Sequence, residues 1–497
     1  MTIKTVKTKH SWVKPKKFDN NIIVIGGGSA GLVTAYIAAA VKAKVTLIEK
    51  HKLGGDCLNT GCVPSKALIS TTRLLANAAR AKEFGIANLT ADYSFADVME
   101  RVQRVIKFIE PHDSAERYQN LGVTVIDGNA QLISPWEVEV TTTAGIRTLT
   151  SLAIVIAAGA HPVVPPIPGI ENSDFLTSDT VWNLREQPKR LIVLGGGPIG
   201  CELVQCFARL GSNVTIIEMS PRLLVREDED ASELVLEQFK KEEINVLVGH
   251  SAKQFSVENG EKILLAEHDG IIARIPFDHV LLALGRLPNT SGYGLEDIGV
   301  ELSPKRTIQV DGFQATNYPN IFACGDVSGP YQFTHTAAHQ AWYTAVNALF
   351  GNIKKFRTDY SVIPWATFTE PEVARVGLNE QEAKEQGIKY EISKYGIDDL
   401  DRAIADNNAR GFVKVLTKPG TDKILGVTIV GDHAGDLIAE FVLAMKYKMG
   451  LNKILGTIHI YPTLAEANKY VAGVWKKNHQ PLKLLEWVAR YHAWRRG

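Results

Sequence analysis

The chain has 497 residues, 45% hydrophobic and 22% charged, with a formal net charge of +1. Its length suggests about three domains of an ordinary soluble globular protein, and its near-neutral charge gives no electrostatic case for nucleic acid as a partner. Five cysteines (57, 62, 201, 206 and 324), an odd and sparse set, argue against a secreted disulfide framework and for a reducing compartment, the cytoplasm by default.

Residues 1–19 are basic, with Lys4, Lys7, Lys9, Lys14, Lys16 and Lys17, but lack an apolar h-region and a small-residue cleavage site. They read as a solvated arm rather than a signal peptide. No uninterrupted apolar run of about 20 residues follows, so no transmembrane helix is expected. Ile22 to Ile25 is a short β-branched run ending at Gly26, Gly28 and Gly31, and Leu32 to Val41 reads as a helix. A second strand, Lys44 to Ile48, closes on Glu49. This order of strand, G-x-G-x-x-G, helix, strand and acid is a dinucleotide fingerprint. Its glycines admit a pyrophosphate, the helix N-terminus stabilises the phosphate charge, and the carboxylate accepts from a ribose hydroxyl.

Next come Gly54, Gly55, Asp56 and two thiols, Cys57 and Cys62, followed by Val63, Pro64, Ser65 and Lys66. In an undistorted helix, residues five apart rise about 7.5 Å and face different sides, too far for the roughly 4.4–6.8 Å Cα separation of a disulfide. A redox pair therefore requires a bend, for which Gly54, Gly55, Gly61 and Pro64 supply the means. Two free buried cysteines or half a zinc site are the bland alternatives, and no second Cys/His pair at zinc spacing lies nearby, so no metal ligands are assigned.

The fingerprint then recurs. Arg190 to Leu194 reads as a strand, Gly195, Gly197 and Gly200 as the glycines, Cys201 to Leu210 as a helix, and Asn213 to Ile217 as a strand closing on Glu218. Two nucleotides are expected in two Rossmann-like domains. A chain with two such folds and a cysteine pair beside the first is most simply a flavoprotein passing electrons from nicotinamide through FAD to a disulfide. Cys201 and Cys206 fall on a helix where small buried hydrophobes suffice.

The run from Gly54 to Lys66 (GGDCLNTGCVPSK) resembles the active-site signature of the class I pyridine nucleotide–disulfide oxidoreductases, the family of dihydrolipoyl dehydrogenase, glutathione reductase and mercuric reductase. Ile156 to Ala160, Leu284 to Thr290, Ile321 to Asp326 and Pro364 to Gly377 resemble further family segments in the family's order, so the likeness covers roughly residues 20–470. It implies an α/β architecture: an FAD domain at 20–162 and 281–358, an NAD(P) domain at 163–280, and an α+β dimerisation domain at 359–473. Each active site would be completed by the partner subunit of a homodimer.

By position, the resemblance implies that Cys57 exchanges electrons with substrate and Cys62 forms the charge-transfer thiolate. Lys66, paired with Glu202, would sit by the flavin N5 and lower a neighbouring thiol's pKa. Gly55, Gly159, Arg286 and Asp326 would line FAD, with Asp326 on the ribityl chain. A helix beginning near Thr334 to Ala337 would point its N-terminus at the flavin N1/O2 edge. Glu218 favours NADH over NADPH, because a carboxylate accepts from a free ribose hydroxyl and repels a phosphate, although Arg222 and Arg226 are near enough to reach one.

The departures from the family shape the functional expectation. An aromatic often follows the second G-x-G, and Pro198 stands there. Where disulfide reductases carry H-P-T-x-x-E, whose histidine shuttles the substrate thiol's proton with the glutamate orienting it, this chain reads Tyr461-Pro462-Thr463-Leu464-Ala465-Glu466. A phenol with reference pKa near 10 is a poor base, and His459 is the one nearby substitute. Mercuric reductases also show tyrosine there but add a terminal cysteine pair, and no cysteine follows Cys324 here. The expectation is electron transfer to a metal ion or small oxidant. A dihydrolipoyl dehydrogenase-like or other disulfide reductase is the alternative within the family, and a slow redox sensor or membrane-recruited adaptor the alternative outside it. The tail at 474–497 is basic and places Leu484, Trp487, Val488, Tyr491 and Trp494 at helical spacing, a helix that could meet an anionic membrane, a partner, or the protein's own dimer.

Overall fold

The computed structural model describes residues 12–497. Most of the basic arm, including Lys4, Lys7 and Lys9, lies outside the described residues. The first sheet is built on parallel strands in the order Val123–Asp127, Val45–Glu49, Asn20–Ile25, Gly145–Ile156, and an antiparallel meander extends it beyond the last of these. Ile22 to Val24 are fully buried, because helices cover one face of the sheet and the antiparallel meander the other, leaving such strands no polar side. The later strand Ile321–Ala323 returns to this sheet, pairing parallel with Ile154 to Ile156.

A second parallel sheet runs Asn245–Val248, Asn213–Glu218, Arg190–Leu194, His279–Leu282, Leu176–Thr177. The expected domain boundary at 280/281 falls inside the strand His279–Leu282. The chain leaves this sheet only after Leu282, since the apolar strand has to finish pairing with Leu191 to Leu194 before it can cross back. A five-stranded antiparallel sheet between Pro364 and Gly431 forms the third unit.

The fingerprint helices begin earlier than their apolar periodicity indicates, at Ser29–Ala40 and Pro198–Arg209. Gly31 and Gly200 are therefore helical rather than loop residues. A Cβ on Gly31 would stand 1.8 Å from the Gly26 carbonyl oxygen, and one on Gly200 1.9 Å from that of Gly195. The third glycine thus serves close packing of helix on strand.

The tail is a helix, but an interrupted one. Glu466–Asn478 ends at His479, and a separate helix, Leu482–Arg496, follows Pro481, whose missing N–H and fixed φ suit a first turn. Leu482 and Leu485 fall off the expected apolar stripe, so its segregation is incomplete. No residue of this second helix is buried.

Candidate active site

The redox segment bends as its spacing requires. A short helix, Gly55–Asn59, stops at Thr60, and a new one, Cys62–Ala79, starts after Gly61. The Asn59 side chain donates to the carbonyls of Leu53 and Gly55, and Trp182 Nε1 donates to the Thr60 carbonyl at 2.8 Å, pinning the break. Gly55 has φ +56, and a Cβ there would lie 2.7 Å from the Gly28 Cα. Glycine at this point lets the redox segment seat directly on the first fingerprint loop.

Both cysteines are free thiols that touch each other. The Cys57 thiol donates to Cys62, the Thr334 hydroxyl lies 3.4 Å from Cys62 Sγ, and the Lys66 ammonium adds its charge, so the Cys62 pKa falls to about 6. Sharing with Cys62 and burial push the Cys57 thiol strongly upward. The pair therefore holds one proton around neutrality, with the thiolate on Cys62. Alkylation of Cys62 by iodoacetamide is expected to rise as pH increases through about 6. Thr334→Val removes a donor to the charged form and should move that midpoint up by about one unit; an unchanged midpoint would show that Thr334 does not tune the thiolate.

Lys66 Nζ lies 2.8 Å from Glu202 Oε2, and Glu202 is only 7% exposed. The ammonium also stands 4.2 Å from the centroid of the Phe368 ring, a cation–π contact. Phe368 N–H in turn donates to Glu202 Oε1 at 3.0 Å. Further along the same helix, Gln205 exchanges two hydrogen bonds with the Glu370 backbone and Arg209 pairs with the Glu370 carboxylate at 2.8 Å. Positions 202, 205 and 209 share one helix face. The helix that opens at the second fingerprint is thereby laced to the segment leading into the third unit, with Lys66 held at the seam.

Glu49 and Glu218 each have a structural bond that the fingerprint does not show. Glu49 accepts from Gly27 N–H and Glu218 from Gly196 N–H, both at 2.6 Å, tying each glycine loop to the next strand. The Arg286 guanidinium donates to Asp56, to the Ala160 carbonyl and to Ser178, so it also braces the redox segment. Asp326 accepts no hydrogen bond from a described residue, while burial raises its pKa to about 6. A Cβ on Gly197 would meet nothing within 4 Å, and the same holds at Gly159, where φ is +69. An unpartnered carboxylate and glycines facing open space are what bound nucleotides need, so the residues present fit FAD and a nicotinamide coenzyme. Ala337 is buried on the first turn of Thr334–Phe350, beside Thr334.

The C-terminal residues differ from expectation. Tyr461 is 66% exposed and its hydroxyl donates to Asp401 at 2.9 Å, a bond that raises its pKa further. Glu466, expected to orient residue 461, is buried and accepts instead from Thr463 N–H and the Tyr470 hydroxyl. Asp401, not Glu466, is the carboxylate hydrogen-bonded to Tyr461, and Glu466 acts on it only through its charge. His459 is turned inward, its Nε2 3.0 Å from Glu440. Cys201 and Cys206 are buried, as their helix position implies. Phe368, Gln205, Trp182 and Asp401 carry no local motif. The Pro364 to Gly377 segment contains Phe368 and the Cys201 to Leu210 helix contains Gln205, but neither pattern singles the residue out.

Residues 20–341 match the family model for pyridine nucleotide-disulphide oxidoreductases, and residues 363–472 match that family's dimerisation domain. A dihydrolipoyl dehydrogenase of Chlamydia muridarum is 35% identical over 89% of this chain and 94% of its own. A mercuric reductase of Lysinibacillus sphaericus is 34% identical over 92% of this chain and 83% of its own. Among solved structures, a Cu(II) complex of the HOCl-induced flavoprotein disulfide reductase RclA of Escherichia coli superposes with TM-score 0.82 at 27% identity, covering 91% of this chain and 99% of its own. With these matches and a dimerisation domain in place, the chain belongs to the class I pyridine nucleotide–disulfide oxidoreductases, FAD-dependent homodimeric enzymes that draw electrons from NAD(P)H.

Proposed function

We propose that this enzyme passes electrons from NADH to a metal ion or small oxidant, as a mercuric reductase does, rather than to a disulfide. The observation that carries this reading is Tyr461, an exposed phenol bonded to Asp401 with its pKa raised, at the sequence position where disulfide reductases carry their histidine base. Metal ions need no such base, because soft cations bind thiolates directly. The Cu(II) complexes of the Escherichia coli reductase are in keeping with such an acceptor.

Gly26, Gly28, Gly31, Glu49, Gly55, Gly159, Arg286 and Asp326 would hold FAD, and Gly195, Gly197, Gly200 and Glu218 the coenzyme. FAD, when bound, accepts hydride from NADH and supplies two electrons to the cysteine pair. Lys66 keeps a positive charge beside Cys62, and Glu202 with Phe368 keeps Lys66 in place. Cys57 and Cys62 together bind the acceptor as thiolates, Cys57 giving the pair's one remaining proton to solvent; their oxidation to the disulfide passes two electrons to one Hg(II) or to two Cu(II) in succession. Arg222 supports the choice of NADH, since its Nη2 is committed to the carbonyls of Val225 and Glu227 and to the Gln381 side chain.

The dihydrolipoyl dehydrogenase reading is favoured by the 35% identity to such an enzyme. It requires a proton acceptor other than Tyr461, and His459 is occupied by Glu440. A panel of Hg(II), Cu(II), lipoamide, glutathione disulfide and quinones, run with NADH on wild type, Tyr461→His and Tyr461→Phe, separates the two. Turnover with metal ions or small oxidants is expected, changed no more than about twofold by Tyr461→Phe, with disulfide turnover gained by about a hundredfold in Tyr461→His. Wild-type lipoamide turnover exceeding that of every metal ion and quinone would sink the proposal.

A further inference from the structure

We propose that the helix Leu482–Arg496 is a peripheral anchor that lies on an anionic phospholipid bilayer. Trp487 is 66% and Trp494 77% exposed, Leu484 before them and Tyr491 between them are open too, and nothing in the described protomer covers these side chains. The three aromatics fall on one side of the helix, the arrangement that places indole and phenol rings at the headgroup level of a membrane. Lys476, Lys477, Lys483, Arg490, Arg495 and Arg496 against Glu486 give residues 476–497 a net charge of +5, where the whole chain has +1, so the remainder carries −4. Basic charge is concentrated beside the exposed aromatics, and each such residue near an anionic leaflet adds to binding.

The helix is also placed to act as an anchor. It begins ten residues after the dimerisation-domain match ends at 472. The preceding helix is fixed at its end, with His479 Nε2 2.9 Å from Glu391 and its ring stacked on Trp475 at 4.4 Å, so the anchor leaves the domain from a rigid point. At about 1.5 Å per residue it is roughly 22 Å long and would lie flat, and no helix among the described residues is long and apolar enough to cross a membrane. Self-pairing is disfavoured, since a two-fold axis would set a +5 segment against its copy.

The test uses the full-length dimeric holoenzyme and vesicles of phosphatidylglycerol or of phosphatidylcholine, separated by sedimentation. The protein should pellet with phosphatidylglycerol at about 0.05 M salt, remain in solution with phosphatidylcholine, and be released at about 0.5 M salt. Trp487→Ser/Trp494→Ser and Arg490→Gln/Arg495→Gln/Arg496→Gln should each lower vesicle binding by at least about tenfold and leave NADH oxidation in solution unchanged. Failure to bind phosphatidylglycerol, or binding that both variants retain, overturns the proposal. A change in the oligomer mass of either variant, with wild type indifferent to vesicles, assigns the helix to a second copy of the chain and overturns it equally. The anchor stands apart from the nature of the acceptor, so either can fail alone.

Discussion

Cys57→Ser and Cys62→Ser are each expected to abolish NADH-driven reduction of every acceptor, with kcat falling on the order of 10⁴-fold or more. A serine hydroxyl is not ionised near neutrality and cannot close a disulfide, so two electrons have no place to rest between flavin and acceptor. The two variants should nevertheless differ in thiol chemistry. With Cys57 replaced, Cys62 keeps Thr334, Lys66 and a serine donor around its sulfur, and should still alkylate rapidly at neutral pH. With Cys62 replaced, the remaining Cys57 thiol is held up by burial and should alkylate slowly. Steady-state rates and iodoacetamide kinetics on the same samples check both statements. Retention of more than about a tenth of wild-type turnover by either variant would mean that electrons bypass the pair.

Lys414→Met should produce the largest loss of stability. The side chain is 1% exposed, and its ammonium lies 2.8 Å from Asp228, 2.8 Å from Asp230 and 2.9 Å from Glu380. Asp228 and Asp230 belong to the second unit and Glu380 to the third, so this one cation clamps two units together. Removing it leaves three carboxylates facing one another, with Asp228 buried, a situation that typically costs about 3–5 kcal/mol. Lys394, whose ammonium reaches Asp230 at 2.7 Å, is the control. It is largely exposed, so Lys394→Met should cost less than about 1 kcal/mol. Denaturant unfolding followed by tryptophan fluorescence measures the difference. Equal midpoints for the two variants would contradict the clamp.

Much of the fold was legible because it is written locally. An apolar strand, a glycine loop, a helix and an acid fall within 30 residues, and each step follows from backbone sterics or burial; the two repeats announce two nucleotide folds. The Cys57–Cys62 spacing likewise dictates a bend, since no continuous helix brings the two thiols together. The helix starts are hidden for a local reason as well: glycine looks like loop until its packing partner is known, and positions 31 and 200, both inside helices, carry glycine because a neighbouring carbonyl leaves no room for a side chain.

Other features could not be read along the chain. Phe368 is 302 positions from Lys66, and nothing in the spacing of either shows that an aromatic ring lies over the ammonium. Asp401 replaces Glu466 as the partner of Tyr461 through a contact of sequence separation 60. Glu49 and Glu218 could be named as fingerprint acids from sequence, but not as the groups that tie their own glycine loops in place. The sequence by itself determined the family, the two dinucleotide folds and the cysteine pair, because these depend on residues close together. Which side chains hold Lys66 at the thiolate, what occupies Tyr461 and which cation clamps the units were decided only by the tertiary structure, which alone brings distant charges and rings within a few ångströms.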